Sequence, residues 1–158
     1  YFTVSYTYTT GLISSDDGTN ANEDILDQSH TLYGAIDEER KININKVDKT
    51  ILEGLFRDIA GLVQEEEEIL TESVIDWRDK DDSPQKHGAE NNYYQRLPER
   101  YDCKNGDFDT LEELILVRGM TPDIFFRIKD YITIYGKCKV NINTASYAVL
   151  KAVGMSDN

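Results

Sequence analysis

Apolar residues fall into two registers along this chain. Near the N-terminus they alternate. Phe2, Val4, Tyr6 and Tyr8 share one side of a stretch (1–13) rich in Thr, Tyr and Val, which predicts a strand. Leu32 to Ile36 predicts a second short strand, Asp37 to Arg40 a turn, and Ile42 with Ile44 a third extended piece. From Asp48, a plausible N-cap, the period becomes helical. Ile51, Leu55 and Ile59 form one stripe flanked by Leu52, Phe56 and Val63, and the helix is expected to reach about Gln64. Ile69, Val74, Ile75 and Trp77 predict a second helix that packs Trp77 near its end. Leu111, Leu114, Ile115 and Leu116 predict a third over 110–117, capped by Asp109 or Thr110 and broken at Gly119. Thr121 and Pro122 stand as N-cap and first residue of a fourth, with Ile124, Phe125, Ile128 and Tyr131 on its core face. Ile132 to Tyr135 reads as extended.

The pattern also repeats. Lys41-Ile42-Asn43-Ile44-Asn45 returns as Lys139-Val140-Asn141-Ile142-Asn143, and each copy leads into apolar residues at helical spacing. The second set is Ala145, Ala148, Val149, Leu150 and Val153. Duplicated helical units of this kind build scaffolds and binding modules. Between these elements lie polar stretches. Residues 14–29 read as a loop, and Glu65 to Glu68 as a solvated helix end or connector. Asp79 to Leu97, with Pro84 and Gly88, is a long irregular segment in which Tyr93 and Tyr94 argue for order.

Charge narrows the function classes. The formal net charge of −13 repels a phosphate backbone and argues against general nucleic-acid binding. No run is long and apolar enough to span a bilayer, and no signal peptide is visible. The chain begins at Tyr1 without Met, which leaves room for a targeting or anchoring segment upstream. The two cysteines, Cys103 and Cys138, read either as reduced, partly buried thiols or, in an oxidising compartment, as a pair. With His30 and His87 they have no zinc-finger spacing.

The sharpest chemical signal is Asp76-Trp77-Arg78-Asp79-Lys80-Asp81-Asp82, followed by Gly88-Ala89-Glu90. Counted from Asp79, Asp81 is position 3, Ser83 position 5 and Glu90 position 12, the oxygen spacing of a helix–loop–helix calcium site. Asp82 adds a further oxygen. Calcium takes about six to eight hard oxygen ligands, and such a loop can offer them. Position 6, a glycine in that motif, is Pro84, so the loop is no EF-hand; a solvated acidic loop is the competing reading. Leu114 to Met120 followed by a helix is similar to a helix-hairpin-helix module. Thr121-Pro122 replaces its second glycine, and Glu112, Glu113 and Asp123 make it acidic, which favours a hairpin used only for packing. No nucleophile elbow, triad or phosphate loop is present, so a non-enzymatic role is expected; His87 reads as a solvated loop residue and Trp77 as a core anchor.

Taken in order, Asp37–Asn45, Ile75–Asp82, Gly88–Tyr94, Leu111–Pro122 and Val140–Ser146 resemble the minor pseudopilin K family of bacterial type II secretion, also called general secretion pathway protein K. The resemblance spans about Ala35 to Val153. It implies an α+β fold: a pilin-like α/β part with strands near the N-terminus, carrying a large, mainly helical inserted domain of helix-hairpin-helix or SAM-like units. On this basis residues 1–45 are the pilin-like strand region, with a polar loop at 14–30; 46–138 are the helical domain, with the acidic loop at 76–94; and 139–158 start a second helical unit. The resemblance implies a periplasmic protein, anchored before assembly in the inner membrane by an N-terminal helix outside this sequence. It implies a place at the pseudopilus tip, bound to the minor pseudopilins I and J, with secreted substrates as further partners and no nucleic acid. It further implies structural calcium on Asp79, Asp81, Asp82 and Glu90, and its compartment favours a Cys103–Cys138 bridge. The rival is a helix-hairpin-helix DNA-binding protein of the competence type, which shares the opening at Asn141 to Ser146 but would be basic around its hairpin.

Overall fold

The structure, a computed structural model, describes residues 5–8, 30–33, 37–137 and 139–155. The chain divides into two compact units, Tyr1–Ile36 and Asp37–Asn158. In the first, β1 (Ser5–Tyr8) pairs antiparallel with β2 (His30–Tyr33), Ser5 opposite Tyr33 and Tyr8 opposite His30. The polar loop expected at 14–30 lies outside the described residues except for His30.

The second unit begins with a 3₁₀ turn, Glu38–Arg40, whose N-cap Asp37 accepts a hydrogen bond from the Glu39 amide. β3 (Ile42–Asn43) then pairs in parallel with β4 (Ile132–Thr133). This pairing buries Ile42 and Ile44 in the helical core. The two compact units meet at 36/37, and β3 lies with the helices. Ile42 and Ile44 share the face turned to the core, and Asn43 on the other face is satisfied by the carbonyls of Tyr135 and Gly136.

Five helices complete this unit: α1 (Lys49–Gly54), α2 (Gln64–Arg78), α3 (Asn91–Tyr94), α4 (Pro122–Ile128) and α5 (Tyr147–Ala152). Asp48 caps α1 by accepting from the Ile51 amide at 3.0 Å. The chain continues as a π-helical stretch, Leu55–Ile59, and ends at Gly61, whose φ of +70° suits glycine. The helix thus stops before the expected Gln64, which instead opens α2. Residues 110–117 make a 3₁₀ helix (Leu111–Leu116), with Glu113 reaching back to the amides of Asp109 and Thr110. Thr121 caps α4 as expected, accepting from Ile124.

The two sequence copies share one local device. The side chain of Asn43 accepts from the Asn45 amide at 3.0 Å, and that of Asn141 from the Asn143 amide at 3.1 Å. Each asparagine carbonyl then receives two further amides, from Lys46 and Val47 and from Thr144 and Ala145. The turn delivers the chain to a capped helix, α1 after Asp48 and α5 after Ser146. Among the described residues the first copy is a strand, whereas the second has no strand partner and forms a turn. The helices of both copies pack together: a Cβ on Gly54 would lie 2.1 Å from the Ala152 carbonyl oxygen. Residues 139–155 therefore belong to the same unit as the first copy, not to a separate one.

Trp77 anchors the end of α2. It stacks on Phe108 at 6.4 Å and meets Tyr94 edge-on at 5.2 Å. Such ring pairs add about 0.5–1.5 kcal/mol beyond area burial. The hairpin between the 3₁₀ helix and α4 packs on α2: Gly119, at φ +87°, would place a Cβ 3.3 Å from Ile69 Cγ2. No helix among the described residues is long and apolar enough to cross a membrane.

Candidate metal centre

The last turn of α2 and the loop after it bring three carboxylates together. Asp76 lies three residues before Asp79, one helical turn along α2, and Asp79 is the C-cap residue. Glu90 is the N-cap of α3 and comes from the far end of the loop. Carboxylate oxygens of Asp76, Asp79 and Glu90 all lie within 4.8 Å of one another. Asp76 is fully buried and Glu90 is 1% exposed.

Glu90 is the informative member. Neither of its carboxylate oxygens has a well-formed hydrogen bond; the Cys103 thiol beside it is a weak donor and offers only slight relief. A buried carboxylate left in this way is costly in free energy unless something positive meets it. Burial first, then the charges of Asp76, Asp79 and Asp82, push its pKa up to about 7. Burial and neighbouring Asp79 push Asp76 up to about 6, against the pull of the loop amides it accepts. Burial also raises Asp79, with Asp81 adding to it.

The loop is held close by several independent ties. Asp76 accepts from the Gln85 amide at 3.1 Å. Glu72, also on α2, accepts from the His87 amide at 2.6 Å and pairs with Lys49 at 2.7 Å. Arg118 donates to the Gly88 carbonyl at 3.0 Å and lies over the Tyr93 ring at 4.9 Å. His87 is thus stitched into the loop, with Nδ1 3.5 Å from both Glu68 and Glu72, rather than solvated. Gly88 is required here, because a Cβ would lie 1.9 Å from Asp76 Oδ2.

Of the four expected ligands, the structure gathers Asp79 and Glu90 and adds Asp76. Asp81 is exposed and closes an Asx turn on the Ser83 amide at 2.9 Å. Asp82 turns to Asn91 and Asn105, accepting from their side-chain amides at 2.8 and 3.1 Å. Pro84 explains the difference. Without a glycine there, the loop does not wind its odd positions inward as an EF-hand does. The signal for Asp76 was its spacing from Asp79, since residues three apart share a helix face.

Cys103 is buried beside this centre with a free thiol, and the pairing expected with Cys138 falls on a residue outside the described ones. The Cys103 thiol points at the Asp76 carbonyl (3.8 Å), and its amide donates to Asn91 at 2.8 Å. Burial pushes the thiol up to about 12, which keeps it neutral next to the carboxylates.

Residues 26–137 match the family model for type II secretion system (T2SS), protein K. The chain belongs to the type II secretion system protein K family. Among protein K relatives, that of Pectobacterium carotovorum subsp. carotovorum is 34% identical over 79 residues, covering 49% of this chain and 24% of its own length. That of Pseudomonas aeruginosa PAO1 is 30% identical over 145 residues, covering 87% of this chain and 41% of its own. The chain thus spans well under half the length of these protein K relatives. Its fold resembles a chain in the crystal structure of the GspK-GspI-GspJ complex from enterotoxigenic Escherichia coli. The TM-score is 0.67 at 19% identity, over 75% of this chain and 48% of that one. That likeness covers the mixed helix-and-strand fold.

Proposed function

We propose that this chain is the periplasmic part of a minor pseudopilin, a non-enzymatic component of the type II secretion pseudopilus. It binds the minor pseudopilins I and J of its own system, caps the pseudopilus tip and supports export of proteins across the outer membrane. The observation that carries this reading is family membership over residues 26–137, joined to a fold resembling a chain from a K–I–J complex. In the full-length protein an N-terminal helix anchors it in the inner membrane before assembly. Strands β1 and β2 belong to the pilin-like part, and the unit from Asp37 is the helical insertion. The DNA-binding alternative has no support: the hairpin at Gly119 is packed on α2 and is acidic.

Calcium has a structural role in this reading. The buried Glu90, without a well-formed hydrogen bond, and its two carboxylate neighbours fit a hard cation, which would replace their mutual repulsion with attraction. Asp76, Asp79 and Glu90 would hold the ion, fixing both ends of the loop to α2, with Asp82 bracing α3 from the side. The test is co-elution of this chain with its cognate I and J domains in size-exclusion chromatography, with calcium and with EDTA. A ternary complex is expected in calcium. Independent elution in both conditions would overturn the partner assignment.

A further inference from the structure

A second acidic site lies at the opposite end of α2. Glu53, Arg57, Leu62, Gln64, Glu67 and Glu68 line a cleft of about 500 Å³ where the π-helical stretch meets the start of α2. Glu67 is 8% exposed, because positions 67, 70, 71 and 74 share the buried face of the helix. No hydrogen bond or ion pair reaches its carboxylate among the described residues. The cations nearby are engaged: Arg57 pairs with Asp58 at 3.0 Å, and Lys49 with Glu72. Gln64 is turned to Glu68 at 2.9 Å. Burial raises the Glu67 carboxyl, and Glu53, Glu68 and Asp58 add to that while Arg57 opposes it. The cleft therefore holds the largely buried Glu67 with Glu53 and Glu68 beside it, and the cation on its rim, Arg57, is paired with Asp58.

The geometry points to this cleft as a receptor for an arginine side chain presented by a partner protein. A metal ion suits it poorly, because among the described residues only Asp76, Asp79 and Glu90 stand close enough together to share one. Carboxylates spread around a cleft match a planar, forked guanidinium, which reaches two acceptors at once and is weakly hydrated. Leu62 supplies an apolar wall for the arginine stem. This assignment is independent of calcium at the other end of α2.

The test is an NMR titration of the nitrogen-15-labelled chain with acetyl-Gly-Arg-Gly-amide. Saturable shifts are expected on amides of residues 53–57 and 62–68. Affinity should fall about tenfold in Glu67→Gln and hold in Glu65→Gln, a charge control on the exposed face. Glu67→Gln is checked for an unchanged melting temperature, which separates lost binding from lost folding. Equal weakening by both variants would reduce the effect to diffuse attraction by an acidic protein and overturn the proposal. So would equal binding of acetyl-Gly-Lys-Gly-amide, displacement of the peptide from these amides by calcium alone, or no saturable shift.

Discussion

Replacing Glu90 with glutamine should change stability in opposite directions with and without calcium. Without metal, the Glu90 carboxyl is raised from 4.5 to about 7 by burial and by its acidic neighbours. At about 1.4 kcal/mol per pH unit, its ionisation at pH 8 costs the folded state about 3 kcal/mol. Glutamine keeps the shape and removes the charge. In EDTA at pH 8, Glu90→Gln should therefore be more stable than the parent by about 1–3 kcal/mol, roughly 4–12 °C in melting temperature for a unit of this size. The sign follows from linkage. The folded pKa lies above the unfolded one, so this carboxyl favours folding below about pH 4.5, and that contribution is lost as pH rises to about 7. The variant's advantage should grow across that window and level off above it. Calcium reverses the order. At a free concentration of a hundred times Kd it should stabilise the parent by about 2.7 kcal/mol, and the variant by far less. Thermal melts of both proteins at pH 4.5, 6 and 8, each in EDTA and in calcium, give the full pattern. If Glu90→Gln is less stable than the parent in EDTA at pH 8, the carboxylate is not strained and the centre is not built for a cation.

Further outcomes follow from close approaches and from burial. Gly88→Ala puts a methyl on Asp76 Oδ2, so it should cost about 1–3 kcal/mol and abolish the calcium-dependent rise in melting temperature. Gly54→Ala would stabilise an ordinary helix interior by about 0.5–1 kcal/mol. Here, with the Ala152 carbonyl 2.1 Å from the new Cβ, urea melts should show destabilisation instead. The native Cys103 thiol should resist iodoacetamide at pH 8 and react at an ordinary cysteine rate once urea unfolds the chain; fast native labelling would contradict its burial.

Much of the helical unit could be read from residue spacing, because its signals are local. Asp48, Thr121 and Ser146 cap helices through bonds to an amide three residues on, and each sits where a polar residue precedes an apolar stripe. The N-x-N repeat carries its own turn geometry in the asparagine side chain. What lay beyond the sequence was set by contacts far apart along the chain. Whether an N-x-N segment becomes a strand depends on a partner: Ile42 finds Ile132, and Ile142 finds none among the described residues. Counting ligands along the loop assumes the winding of an EF-hand, which Pro84 does not provide; Asp81 instead meets the nearby Ser83 amide, Asp82 the side chains of Asn91 and Asn105, and Asp76 enters from the helix behind.

The same logic accounts for the two acidic sites on α2. Counted as a run, Glu65 to Glu68 faces water; counted at helical period, Glu67 falls in line with Leu70, Thr71 and Val74 and is carried inward. Glu72 and Asp76, four residues apart, share the other side of α2, which is buried because the loop after the helix folds over it. A helix that buries Glu67 on one side and Glu72 with Asp76 on the other gives up apolar burial along its length. Such a face persists only if each carboxylate meets a positive or hydrogen-bonding partner. Glu72 has Lys49 and the His87 amide within the chain. Glu67 has none, and the Asp76 cluster falls short of what its three carboxylates demand. The two ends of α2 are thus where the proposed cation and the proposed arginine would supply the positive charge that these carboxylates lack.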